Sequence, residues 1–163
     1  MTISLKHMGR RTGAVLVSLL LLLTLAVSAS AAAVKMTVGV RFWRESGDKE
    51  SMADSAVDTT REATLTRQPN GTFTLELPVK QLSSMNMTGS LTGIAIGEVN
   101  YDGTLSGDLS DGTAVLTLKN LPASVLTGSD SNKALAVTCS IKMDTILLGD
   151  IATSAKMSIW VER

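Results

Sequence analysis

Histidine, cysteine and aromatic side chains are scarce in this chain of 163 residues, which has one His, one Cys and five aromatics. The histidine, His7, falls in an N-terminal stretch that reads as a leader, so the chain without it has no imidazole at all. That excludes Ser-His-Asp and Cys-His nucleophilic sites and any His-ligated metal. A single cysteine, Cys139, cannot make an internal disulfide and excludes CxxC chemistry. Excess base is missing too: 15 Lys+Arg stand against 15 Asp+Glu. Nothing in that balance suggests nucleic acid as a partner. Five aromatics leave little to stack on sugar rings, and no paired-carboxylate motif of a glycosidase is visible, so no enzymatic activity is expected.

The leader has three parts. Met1–Arg11 carries Lys6, His7, Arg10 and Arg11 and no acid. Ala14–Val27 is apolar except for Ser18 and Thr24, and a run of small residues follows, Ser28 to Ala33. A basic start, an apolar core and an A-x-A site form the pattern of a secretory signal peptide, with cleavage expected after Ala29-Ser30-Ala31. The domains are therefore read as a signal peptide over residues 1–31 and one globular domain over 32–163. The apolar run is short for a span of roughly 20 residues, and no later run is long enough to cross a bilayer; an uncleaved signal anchor is the alternative. No cysteine near the cleavage site invites lipid attachment, the flanks of Arg10-Arg11 do not support twin-arginine export, and no C-terminal anchor is expected. Without Lys6, Arg10 and Arg11 the chain has 12 basic residues against 15 acidic ones, a net charge of −3. The expected location is extracellular or at the cell surface.

Beyond the leader, the dominant period is two, which marks half-buried strands. Val34–Trp43 alternates around Met36, Val38, Val40 and Phe42. Glu62–Arg67 and Thr72–Val79 flank Pro69-Asn70-Gly71, a turn triplet, and read as a hairpin. Short runs follow at Met85–Met87, Leu91–Ile96 and Glu98–Tyr101, with Asp102-Gly103 expected to turn the chain. Thr113–Lys119 alternates, Leu121–Lys133 reads as a loop, and Leu135–Met143 and Ala155–Val161 are the last two strands. Ser51–Val57 has room for one or two helical turns, with Ser51 as cap and Asp54 in the first turn. Seven or eight antiparallel strands at this spacing suggest a β-sandwich, with a closed barrel second.

One stretch is more specific. Val40–Asp58 reads VRFWRESGDKESMADSAVD: a strand end, a charged loop, then Ser51-Met52-Ala53 opening the short turn. Ala63-Thr64-Leu65 and Asn70-Gly71-Thr72-Phe73-Thr74-Leu75 follow in register. This arrangement resembles the NEAT (near-iron-transporter) domains of bacterial surface and secreted proteins, and the likeness continues through Gly89–Gly93, Thr113–Leu121 and the last hairpin. It implies an all-β, immunoglobulin-like antiparallel β-sandwich with a short helical lip. It also implies a haem-handling role in iron acquisition, with haem as a transported ligand and no catalytic cofactor. Haem, a haem protein or other cell-surface proteins would be the partners.

By the same resemblance, Ser51 would hydrogen-bond a haem propionate, Met52 would pack on the porphyrin, and Arg44 would offer a cation. Soft thioethers suit a flat apolar disc, and hydroxyl or cationic donors suit its carboxylates. The sequence departs from the family at the metal. Haem-binding members supply a tyrosine from the start of the last strand, usually with a second tyrosine four residues on. Gly149–Ser158 has none, and Tyr101 lies elsewhere. Met143 and Met157 are the remaining thioethers on that hairpin, although both fall on the apolar face of their strands and read as core. Cys139 and the Met85/Met87 pair also read as packing residues, whereas Trp43 and Trp160 sit off the main apolar alternation. Two functions follow: a secreted haem-binding and transfer module, or an adhesion or protein-interaction module of the same fold that has lost haem ligation.

Overall fold

Inward-facing Val38, Val40 and Phe42 alternate with outward-facing Gly39, Arg41 and Trp43 along the first strand, and this strand organises the molecule. The structure, a computed structural model, describes residues 32–84, 87–144 and 149–162. The leader and Met85 therefore lie outside the described residues. In chain order the strands are β1 (Val34–Trp43), β2 (Ala63–Arg67), β3 (Phe73–Pro78), β4 (Leu82–Ser84), β5 (Met87–Ile96), β6 (Val99–Asp102), β7 (Thr104–Ser106), β8 (Val115–Leu121), β9 (Leu135–Met143) and β10 (Asp150–Val161). The lip is a 3-10 turn, Met52–Ala56.

All strand pairs are antiparallel, in the order β4-β5-β9-β10-β1-β2-β3-β8-β7, with β6 also on β5. β1 belongs to two sheets. Its first half pairs with β2, from Val34↔Arg67 to Val38↔Ala63, and its second half pairs with β10, from Val38↔Val161 to Trp43↔Lys156. A strand that changes sheets in this way makes a corner of a sandwich. The second corner is β6–β7: β6 pairs with β5, and after Gly103 the chain pairs with β8 as β7. The result is the expected immunoglobulin-like β-sandwich. Its core is built from both sheets, with Leu65, Leu75, Leu77, Leu116 and Leu118 facing Leu91, Ile94, Cys139, Ile141, Met157 and Ile159, all essentially inaccessible.

The β2–β3 hairpin forms as read. Gly71 takes φ 84, the Gln68 amide donates to the Thr72 carbonyl at 2.8 Å, and Asn70 Oδ1 accepts from the Thr72 amide at 3.1 Å. Three details differ. Among the described residues ten strands replace seven or eight, because β4, β6 and β7 are too short to show alternation. The turn between β5 and β6 is made at Gly97, with φ 60, and Asp102-Gly103 makes no hairpin turn. Gly103 serves close approach instead: a Cβ there would overlap the Leu116 side chain and lie 2.8 Å from the Thr92 carbonyl oxygen. Finally, β10 begins at Asp150, earlier than the alternation of large apolar residues, because its first half is carried by pairing with β9. Among the described residues no helix is long and apolar enough to cross a membrane.

Candidate functional site

The charged loop after β1 is a tight reversal. Gly47, at φ 75, donates its amide to the Arg44 carbonyl at 2.8 Å, and the Arg44 amide donates to the Lys49 carbonyl at 2.8 Å. Trp43 and Glu50 then face each other across an isolated bridge, and the Ser51 amide returns to the Phe42 carbonyl at 2.8 Å. Asp48 is held below the usual carboxylate range, first by the Ser46 hydroxyl and further by the nearby Arg44 charge.

Ser51 opens the lip with extended backbone (φ −81, ψ 167), and the Asp54 amide closes the turn on the Ser51 carbonyl at 3.1 Å. Its side chain does not cap. Ser51 is 9% exposed, and its Oγ is buried without a hydrogen-bond partner. A buried hydroxyl left unmatched costs free energy, which a ligand acceptor would recover. Met52, the next residue, is 41% exposed. Asp54 is buried, and its Oδ1 accepts the Phe42 amide at 2.8 Å, so the lip is tied to the end of β1.

Arg44, Ser51 and Met52, the residues expected to bind, line one open cleft of about 530 Å³. Arg41 and Lys80 line it too. Arg41 is engaged, in an ion pair with Glu50 and a second contact with Asp54 at 3.5 Å. The other ion pairs among the described residues use Lys35 and Arg61, leaving Arg44 and Lys80 without a carboxylate partner. The cleft therefore collects two free cations, an orphan hydroxyl and an exposed thioether. That set suits a ligand with carboxylates at one edge and an apolar body.

The site departs from the haem-binding pattern in its metal chemistry. No described residue of β9 or β10, where that pattern places its tyrosine, lines this cleft. Met157 is fully buried and Met143 is 7% exposed, its sulfur packed over Gly89, so both are core side chains. Tyr101 is in β6, opposite Ile94. The residues lining the cleft thus fit the carboxylates and one face of a porphyrin and include no tyrosine, histidine or cysteine. Cys139 is enclosed, and burial pushes its thiol up to about 12. Trp43 donates its indole N–H to Ser158 Oγ at 3.0 Å and is half-buried. The sequence singles out neither Arg41 nor Lys80, and it places Asp54 in the first turn of the lip without its bond to Phe42. The only signal for Asp54 was an acid placed inside the otherwise small and apolar SMADSAV.

No family model and no curated protein sequence matches the chain. Among solved structures, it is similar to a mutant IsdX2-NEAT5 domain determined in complex with heme. The identity is 9%, the match covers 80% of this chain and 98% of that one, and the TM-score is 0.52. At that identity the likeness establishes the fold.

Proposed function

We propose that this protein is an exported NEAT-like binding module that takes up and passes on a porphyrin, haem in the first instance, and performs no chemistry on it. The observation that carries the reading is the buried, unpartnered Ser51 Oγ at the mouth of a cleft that also presents Arg44, Lys80 and the exposed Met52. A propionate placed there would accept from the hydroxyl and neutralise the two cations, and the ring would lie against the Met52 thioether. Support comes also from the shared fold with a domain solved with heme. The leader over residues 1–31 supports secretion or display at the cell surface, where haem or a haem protein would be met.

Because the cleft presents no tyrosine, histidine or cysteine among the described residues, and its thioether, Met52, is placed against the ring, grip on the periphery of the ring should dominate. Haemin and metal-free protoporphyrin IX should therefore bind with similar affinity, each saturating in an absorbance titration at micromolar concentrations. Ser51→Ala and Met52→Ala should weaken both. Absence of saturable binding of either porphyrin would overturn the reading. The second reading is a protein-interaction module without haem ligation, and the missing tyrosine between Gly149 and Ser158 favours it. A null titration would select it.

A further inference from the structure

A second concave site lies where β1 leaves β2. The groove has a volume of about 250 Å³ and runs between β1, the Val57–Ala63 segment and the end of β10. One wall is the indole of Trp160, which packs closely against Gly39, its register partner across the β1–β10 pair. A Cβ on Gly39 would overlap the ring at Cζ2 and Cε2, so glycine is what allows the indole to lie against the sheet. Trp160 is half-buried, like Trp43.

The charges around the ring are unequal. Both cations lining the groove are already satisfied. Arg41 is paired with Glu50 and Asp54. Arg61 donates to Asp58 at 2.7 Å and to the Ala114 carbonyl at 2.6 Å. Glu62 and Glu162 also line the groove, and among the described residues neither carboxylate has a hydrogen-bond or ion-pair partner. A half-buried indole lining a groove with two free carboxylates attracts positive charge through both the ring and the carboxylates. At about 250 Å³ the groove falls below the roughly 300–1,000 Å³ of sites for larger organic ligands, which suits a headgroup or a single side chain.

We propose that this groove is a binding site for an organic cation, an alkylammonium or guanidinium group that stacks on Trp160 and pairs with Glu62 and Glu162. The site is separate from the lip cleft, and the proposal does not depend on porphyrin binding. The group can come from a free small molecule or from a basic side chain of a protein partner, and the chemistry of recognition is the same.

The test is a titration of the purified protein followed by the two tryptophan indole N–H resonances in proton–nitrogen NMR. Trp160→Phe assigns the signals, and the Trp43 signal, bonded to Ser158, reports an intact fold. The probes are tetramethylammonium chloride, N-acetyl-lysine methylamide and a five-residue peptide with a central lysine, each against sodium chloride at equal ionic strength and against glucose. The expected result is a saturating shift of the Trp160 signal alone with the cations, weakened roughly tenfold in a Glu62→Gln/Glu162→Gln double variant. Tighter binding of the peptide than of both small cations identifies a protein source, and equal binding identifies a free cation. A shift no larger than that caused by sodium chloride, an equal response to glucose, or unchanged affinity in the double variant overturns the proposal.

Discussion

Asp54 Oδ1 accepts the main-chain N–H of Phe42 at 2.8 Å, so a carboxylate in the lip occupies the place that another strand would fill beside β1. The same residue lies 3.5 Å from the Arg41 guanidinium, and the Ser51 amide bonds to the Phe42 carbonyl. The lip is thereby fastened to β1 by both main-chain groups of one buried residue. Asp54→Ala should cost about 1–3 kcal/mol, because it strands a buried amide. Asp54→Asn keeps an acceptor and should recover part of that loss. Urea unfolding measures the cost, and faster hydrogen exchange at Phe42 should accompany it. An Asp54→Ala protein as stable as the parent would show that the lip contributes nothing to the end of β1.

Asp58 and Arg61 brace the segment between the lip and β2. The guanidinium reaches the carbonyls of Val79 and Ala114 as well as Asp58. The Thr60 hydroxyl, then Arg61, hold the Asp58 carboxyl at about 2, below its ordinary 3.8. A depressed value in the folded state means that the charged form stabilises the fold above the unfolded value, and that this contribution is lost as pH falls through the folded one. Stability should therefore decline between about pH 4 and pH 2, and Asp58→Asn should flatten that part of the profile. Thermal unfolding across this window is the measurement, and an unchanged slope in the variant would rule out Asp58 as its source.

Gly39 and Trp160 offer a packing test. Gly39→Ala places a methyl group inside the indole position and should destabilise by about 1–3 kcal/mol. In a Trp160→Ala background the same change should cost little, because the obstructing ring is gone. A double-mutant cycle by denaturant unfolding reads the coupling directly. If the two substitutions prove additive, the ring does not press on Gly39.

These residues also show how much of the molecule was legible. The β2–β3 hairpin, β9 and the lip could be read because side-chain period, turn residues and burial agree locally: Leu65 and Leu75 face each other across a turn that Asn70 and Gly71 specify. The division of β1 between two sheets could not be read, since its alternation from Met36 to Phe42 is the same whichever neighbour it has. Gly103 was misread because glycine serves turns and close approaches alike, and only the facing Leu116 distinguishes them. In the site, Ser51 and Met52 were found by resemblance. Arg41, Lys80 and the tie of Asp54 to Phe42 were not, because they depend on contacts away from the residues' own segments.

Cys139 gives a prediction about reactivity. It is fully enclosed on β9, and burial pushes its thiol up to about 12. The thiolate is the reactive form, so the native protein should resist thiol reagents at neutral pH and react only as it unfolds. Labelling with a chromogenic disulfide at increasing urea should track the unfolding transition. Rapid stoichiometric labelling without denaturant would show that β9 opens locally.

Ser51 separates stability from binding. Its Oγ is buried and unpartnered, so the free protein carries the cost of a desolvated hydroxyl. Ser51→Ala removes that cost and should leave stability unchanged or raise it by up to about 1 kcal/mol. If the hydroxyl donates to a ligand carboxylate, the same change should weaken porphyrin binding by roughly tenfold to a hundredfold, the value of one hydrogen bond to a charged group, about 1.5–3 kcal/mol. A residue held in place for ligand binding gives opposite signs in the two measurements, whereas a residue that only supports the lip loses both together. Paired unfolding and absorbance titrations on Ser51→Ala distinguish the cases. Loss of stability with unchanged porphyrin affinity would remove Ser51 from the site.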